Sequence, residues 1–567
     1  MPDPMPTSIS KSEYHHYYGH SSSWAAGGGP PTPPPPGPGT GGPNSPTPTA
    51  GDLYFNDNDQ GMYYFDGASW VGPMGLAAAD HQTQEIIIGL NGVDSLNNVD
   101  YLGDLFNAAP PGTDHYGWQD AIASLDNNTD GGNIYCRRGT YKFSNVLCLH
   151  GTYDAIFQIS QLCPNGVGPI AIEGAGQELV ILQNDLGAGT PCGTFIFDSD
   201  NPVDCKRLTI RGGGKADSAP NTGSATVLIG NDGRGPSIPQ NPATTSSNVH
   251  FEHVTVDAYN AGVVGNDARA VLLCNDGVIS PVDCAFEYCI FENAGNSTPA
   301  ANRCGCFEDN GVLAGTGSVR TSFIGCRFIA GTNSGTSGCY GVGTRYANYT
   351  NCMFAENTDC GLLLDNVMDI SIDGGSVAYA NAVTNPGGGL AAGITILMGY
   401  NIRISNVSSH DNVDVVPTMG WNFIISECVD VTISNCMAYA SETVGNGFLI
   451  EGDSIMLNNC EANGHKNLGG TLAGCGYGFW IGQNNMANYA QVNDCTAKNN
   501  DDDGLLFDVN CNECQVVGGN YFDNALNPIS VPGVGSRVFS AAGAGTQNVV
   551  IDPVAVPTTE AVHFLYN

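Results

Sequence analysis

The most regular pattern in the chain is a glycine followed by alternating apolar positions. It reads GLLLD at 361–365, GITIL at 393–397, GFLIE at 447–451, GFWIG at 478–482 and GLLFD at 504–508. Alternation with a period of two predicts short strands with one face buried. If the first and third residues after the glycine point inward, the inward set is Leu362/Leu364, Ile394/Ile396, Phe448/Ile450, Phe479/Ile481 and Leu505/Phe507. The residues between them, Leu363, Thr395, Leu449, Trp480 and Leu506, then point outward as an apolar stripe.

A second unit alternates with the first. It reads small/Asn–Cys–x–x–polar–Asn and recurs at Cys289, Cys326, Cys352, Cys436, Cys460 and Cys495, with Val254, Val407, Gly375 and Gly519 as variant copies. Successive spacings are 35, 37, 26, 23, 32, 29, 24, 35 and 24. The short values predict a basic coil of about 23–26 residues, lengthened elsewhere by loop insertions. A strand–turn–strand unit of this size cannot bury its apolar side alone. Stacking copies at ~4.8 Å does so, which predicts an all-β chain wound into a parallel β-helix. The cysteine position becomes an inward ladder of small residues. Asn in the turns tolerates left-handed backbone and stacks on Asn of the next coil.

Towards the N-terminus the pattern changes. Residues 27–50 hold ten prolines in 24 positions and read as an extended Pro/Gly linker. Leu53–Phe55, Met62–Phe65 and Trp70–Val71, separated by turn residues, read as a small aromatic meander. In GTDHYGWQDAIASLDNNTDGGNIYCRRGTYKF, Trp118, Ile122 and Leu125 share one helix face, and strands follow at once. A short helix capping the open end of a β stack fits that order. The expected organisation is a flexible segment over 1–50, a β module over 51–78, a spacer over 79–110, the β-helix over 111–525 and a terminal β segment over 526–567.

Composition narrows the function. The chain has 567 residues, 76 of them glycine, and a net charge of −37. No Lys or Arg lies between Lys11 and Arg137. Phosphate neutralisation needs clustered cations, so nucleic acid is excluded as a main partner. Anionic membrane surfaces are disfavoured likewise, and no apolar run is long enough for a membrane-spanning helix. The N-terminus lacks the apolar core of a Sec signal, so folding in a reducing cytoplasm is expected. The 21 cysteines then act as small apolar residues. The Cys304/Cys306 and Cys511/Cys514 pairs have no completing ligands, so no metal site is expected. Asp501-Asp502-Asp503 reads as a solvated turn, with calcium the cation such a turn could take. No other cofactor is implied.

Two stretches resemble known families. GTDHYGWQDAIASLDNNTDGGNIYCRRGTY resembles the entry segment of the pectate-lyase-like right-handed β-helix superfamily, with Arg137-Arg138-Gly139 in place of the usual proline turn. GDLYFNDNDQGMYYFDGASW resembles an element near the N-termini of phage tail fibres and tailspikes. The resemblance implies a right-handed parallel β-helix in a homotrimer. It implies an N-terminal region that attaches to other tail or baseplate proteins of the virion. It also implies a distal β-helix that meets host cell-surface polysaccharide. Asn357-Thr358-Asp359 and Gly464-His465 are similar to fragments of polygalacturonases, but that family's further elements do not follow in order.

Three residues carry the candidate chemistry. Glu451 and Asp508 flank Trp480 two coils apart, about 9–10 Å if coils stack at ~4.8 Å. That is near the upper spacing for two carboxyls that invert a glycosidic bond, one protonating the leaving oxygen and one activating water. Trp480 is the candidate sugar platform. The outward stripe of Leu363, Leu449, Trp480 and Leu506 is the candidate trimer interface. A strongly anionic glycan is disfavoured by the charge. The leading expectation is a virion tail fibre or tailspike that binds host glycan for adsorption. The second is a glycoside hydrolase or polysaccharide lyase, on the spike or free. A bacterial surface adhesin ranks third, for want of a recognisable anchor.

Overall fold

The structure is a computed structural model that divides into two compact units, residues 1–83 and 84–567. In the first unit it describes 16–19, 53–56, 61–65 and 70–74. In the second it describes 84–89, 99–102, 117–143, 148–150, 153–184, 193–199, 201–212, 224–230, 248–258, 268–275, 280–294, 304–311, 317–329, 336–379, 381, 392–412, 420–440, 445–467, 475–527, 529–531, 536–539 and 550–551.

The first unit is a four-stranded sheet. Leu53–Asn56, Gly61–Phe65 and Trp70–Met74 pair antiparallel in chain order, as the aromatic runs and turn residues predict. His16–Gly19 adds a parallel strand beside Leu53–Asn56, within the segment expected to be a flexible tail. Its four residues carry no alternation from which a strand could be read.

The second unit is a right-handed parallel β-helix. A representative coil has an entry strand (Ala392–Leu397), a middle strand (Tyr400–Ser405) and an exit strand (Ser408–His410). Single left-handed residues turn the corners, Met398 at φ 50°, Asn406 at φ 57° and Asp411 at φ 52°. One such residue redirects the strand without a longer loop, and Asn and Asp adopt it at least cost. Exit strands stack into a thirteen-stranded parallel sheet from Gly139–Phe143 to Asn520–Phe522. Between Met353 and Val377, Met437 and Glu461, and Thr496 and Asn520, each aligned in register, the repeat is 24 residues.

The winding extends beyond the expected limits at both ends. Gln84–Gly89 pairs parallel with Gly132–Cys136, so the first rung lies in the stretch expected to be a spacer. Ile529–Val531, Arg537–Phe539 and Val550–Ile551 continue the stack past residue 525. The helix Gly117–Ala123 forms at the capping position, with Trp118, Ile122 and Leu125 fully buried. Trp118 lies parallel to Phe157 and edge-on to Tyr141 and Phe143.

Inside, columns of like side chains run along the axis. The cysteine column holds Val254, Cys289, Cys326, Cys352, Ser376, Val407, Cys436, Cys460 and Cys495, all buried. Ser376 fills the place expected for Gly375: its hydroxyl accepts from the Cys352 amide at 3.0 Å and donates to the Asp373 carbonyl at 2.9 Å. Gly375 is instead a left-handed corner, with Gly374. Seventeen cysteines, Cys511 and Cys514 among them, are buried thiols outside any disulfide.

The amide column is more elaborate than Asn-on-Asn stacking. Asn357 donates to Asn381 at 2.7 Å, and Asn381 to Asn412 at 2.8 Å. Asn422, from the next entry strand, then takes the ladder position. It accepts from Asn412 at 2.8 Å and reaches His465 Nε2 at 3.0 Å. His465 Nδ1 lies 2.8 Å from Asn500 Oδ1, and Asn500 donates to Asn524 at 2.8 Å. The amide oxygen of Asn500 only accepts, so His465 carries its proton on Nδ1 and accepts from Asn422 at Nε2. Glycines make room: a Cβ on Gly361 would lie 2.7 Å from the Asn381 amide nitrogen, and one on Gly478 2.9 Å from that of Asn500.

Candidate functional site

The entry strands place the sequence-predicted residues. All ten inward residues of the glycine-led units, from Leu362 to Phe507, are fully buried. The outward column aligns Leu363, Thr395, Ile424, Leu449, Trp480 and Leu506 in register. It is not a uniform open stripe. Leu363 and Leu449 are 1% and 2% exposed within one chain, and Leu449 packs with Ala392, Trp421 and Ile424 in a small second core. Trp480 and Leu506 are half-buried. A trimer contact through Leu363 and Leu449 would therefore require their present cover to move.

Glu451 and Asp508 lie two rungs apart, set by the alignment Ile450–Ile481–Phe507. Their surroundings differ. Glu451 is 1% exposed and accepts four hydrogen bonds, from Ser426 Oγ and the Asn484 amide at 2.6 Å each, and from the amide and side chain of Asn485 at 3.2 Å each. Those bonds pin the 483–485 turn. A group so engaged must break them before it can deliver a proton. Asp508 is half-buried and accepts from Trp480 Nε1 at 2.9 Å and from the Val509 amide at 2.6 Å. It fixes the edge of the indole, and its oxygens retain acceptor capacity.

The structure brings further residues to this place. Tyr477 lies beside Trp480, ring centroids 4.4 Å apart, and Trp421 stands 6.2 Å away on the other side. Tyr477 and Trp480 share one rung and form a half-exposed aromatic floor, backed by the buried Trp421 two rungs away. Asp502 and Asp503 border it on the next rung. The Tyr477 hydroxyl donates to Asp502. Burial, reinforced by the neighbouring Asp503 charge, pushes the Asp502 carboxyl up to about 6. Asp503 is also raised by burial, opposed by its bonds from Asn527 at 2.9 and 2.8 Å. Burial and the carboxylates of Asp502, Asp503 and Asp508 push the Tyr477 phenol up.

Sequence reasoning missed Tyr477 and Asp502 as site residues. Tyr477 immediately precedes the glycine of GFWIG, outside the alternation used to sort faces. The sequence signal for Asp502 was its own triplet, read as a solvated turn. Only Asp501 behaves that way, half-exposed and bonded to Lys466 at 3.2 Å and the Asn467 amide at 3.0 Å. Asp502 and Asp503 are 9% and 5% exposed. Among the described residues no group of three or more His, Cys, Asp or Glu side chains is arranged to hold a metal ion. No described helix is long and apolar enough to cross a membrane.

No protein-family model matches the sequence, and no curated protein matches it. Some solved structures are similar to it at TM-scores below 0.5. The N-terminal fragment of bacteriophage Phi29 gene product 12 is 12% identical over 73% of this chain and 68% of that one, with a TM-score of 0.46. Bacteriophage CBA120 tailspike protein 3 is 14% identical, over 82% of this chain and 62% of that one, at 0.42. The A-module of Azotobacter vinelandii mannuronan C-5 epimerase AlgE4 is 11% identical, over 83% and 100%, at 0.36.

Proposed function

We propose that this chain is a virion tail fibre or tailspike protein, trimeric, that binds host cell-surface polysaccharide for adsorption. The binding place is the outer face of the entry strands at Tyr477 and Trp480. One observation carries this reading. The rings of Tyr477 and Trp480 form a half-exposed floor bordered by carboxyls, with the indole nitrogen already tied to Asp508. Apolar ring faces meet the C–H faces of a sugar, and acceptors at the rim meet its hydroxyls. The aromatic N-terminal module and the resemblance of its sequence to tail proteins supply the virion setting. Light scattering on the full chain tests the trimer. Titration with purified host-surface polysaccharide tests the site: Trp480→Ala should weaken binding at least tenfold, while an unchanged affinity refutes the assignment.

A second reading has its own observation. Asp502, held partly protonated near neutral pH, and Asp508, tied to Trp480, are two carboxyls in unlike surroundings. Such a pair suits an acid and a base in glycoside hydrolysis. This reading replaces Glu451 by Asp502 in the pair of carboxyls. Release of new reducing ends, abolished in Asp502→Asn and in Asp508→Asn, supports it. A polysaccharide bound and left intact refutes it.

A further inference from the structure

The aromatic floor has a charge preference that a plain sugar platform lacks. Tyr477 and Trp480 pack on one rung with ring centroids 4.4 Å apart, and the buried Trp421 backs Trp480 at 6.2 Å. Aromatic faces carry negative potential and attract cations, ammonium groups in particular. The rim adds to that potential. Asp508 sits at the edge of Trp480, and Asp502 and Asp503 lie beside Tyr477. The carboxylates of Asp502, Asp503 and Asp508 all bear on Tyr477. Lys466 is directed to Asp501 at 3.2 Å and Lys498 to Glu461 at 2.8 Å. Neutral sugar hydroxyls would gain little from so much negative potential, and a uronate would be repelled by it. An ammonium group would relieve the repulsion among the carboxyls and sit against the ring faces.

We propose that this site takes a saccharide bearing an ammonium group, such as an unacetylated amino sugar, in preference to neutral or acidic sugars. The proposal rests on the glycan-binding reading above and narrows it to a substrate class. The half-exposed rings of Tyr477 and Trp480 supply cation–π contact, and Asp508 supplies the opposed charge at the open rim. The amine and its N-acetyl counterpart differ in little but charge, so their comparison isolates the effect.

Calorimetric titration of the full-length protein with three tetrasaccharides decides the matter, at about pH 6 and moderate salt. The probes are chitosan tetramer (ammonium), chitin tetramer (neutral) and tetragalacturonate (acidic). The proposal expects chitosan tetramer to bind about tenfold tighter than chitin tetramer, the scale of one favourable cation–π contact. Tetragalacturonate should not bind. Trp480→Ala should remove the preference, and Asp508→Asn, which keeps the volume, should reduce it severalfold. Equal affinity for the amine and its acetylated form overturns this inference and leaves the glycan-binding reading standing. Preference for the amine that survives both substitutions overturns it too, because the cation is then held by overall charge elsewhere. Binding of none of the three, together with no binding of host polysaccharide, overturns the underlying reading as well.

Discussion

The rungs between Phe251 and Phe354 and those between Ser409 and Ala497 solve one packing problem in opposite ways. In the first group, rings line the middle strands (Phe251, Phe286, Phe323, Tyr349) and the exit strands (Phe291, Phe328, Phe354). Phe286 and Phe291 of one rung meet Phe307 from the next entry strand, centroids 5.0–5.8 Å apart. In the second group the exit strands carry Ser409, Ala438, Ala462 and Ala497 instead. The rings move to the entry strands, where Phe423, Phe448 and Phe479 stack at 4.6 and 4.9 Å. The small exit residues leave the space that the amide ladder and His465 occupy. A rung thus keeps its filled cross-section while the bulky side chain changes sides, as expected for interiors packed at crystal density. The outer aromatic site lies on the second group, on the strands whose inner faces carry the stacked rings.

The largest test of this contrast is Phe448→Ala. The alanines opposite cannot refill the space, so the loss should be about 4 kcal/mol by denaturant titration. Phe328→Ala, ringed by other aromatics that can collapse inward, should cost about 1 kcal/mol less. Equal costs would break the account of volume exchanged between sides. Next is Asn500→Ala, which removes the amide oxygen that accepts from both the His465 Nδ1 proton and the His465 backbone amide. A cost of about 3 kcal/mol is expected from two buried groups left unpaired. A cost below 1 kcal/mol would mean that the ladder is ornamental.

The pH dependence comes third and pits two groups of the second region against each other. Burial keeps His465 neutral, with its pKa down at about 4 against 6.5 for a free imidazole. Between those values the unfolded chain binds a proton that the folded chain refuses. Stability therefore falls as pH drops from about 6.5 to about 4, by at most ~3 kcal/mol. Asp502, raised to about 6 from 3.8, holds a proton in the folded state over an overlapping window. Its contribution grows as pH falls, so it offsets part of the histidine loss. His465→Asn should flatten or reverse the acid limb of a urea-midpoint profile, and Asp502→Asn should steepen it. The smallest effect expected is Cys436→Val. Val407 occupies the same column one rung earlier, so a change within about 1 kcal/mol should result.

Much of the fold could be read because a solenoid writes one decision many times. Six cysteine units and five glycine-led strands fixed the faces, and every inward residue assigned from them is buried. Where repetition thinned, the reading slipped. Ser376 has no cysteine to mark it, and the glycine beside it looked like the variant copy. The first rung at Gln84–Gly89 and the last beyond Ile529 lie outside the motif and pair only through register. The site was half legible. Trp480 and Asp508 followed from alternation, whereas Tyr477 sits one residue before the pattern begins. Glu451 looked equivalent to Asp508 along the chain. Only the amides of the 484–485 turn, 33 and 34 residues on, show that its oxygens are occupied.

The most direct test of the account is binding of host-surface polysaccharide by the full-length protein, compared with Trp480→Ala at matched folded fraction. The account predicts saturable binding by the parent chain and at least a tenfold loss in the variant. Binding that is unchanged by removing Trp480 would place recognition elsewhere on the helix and contradict it.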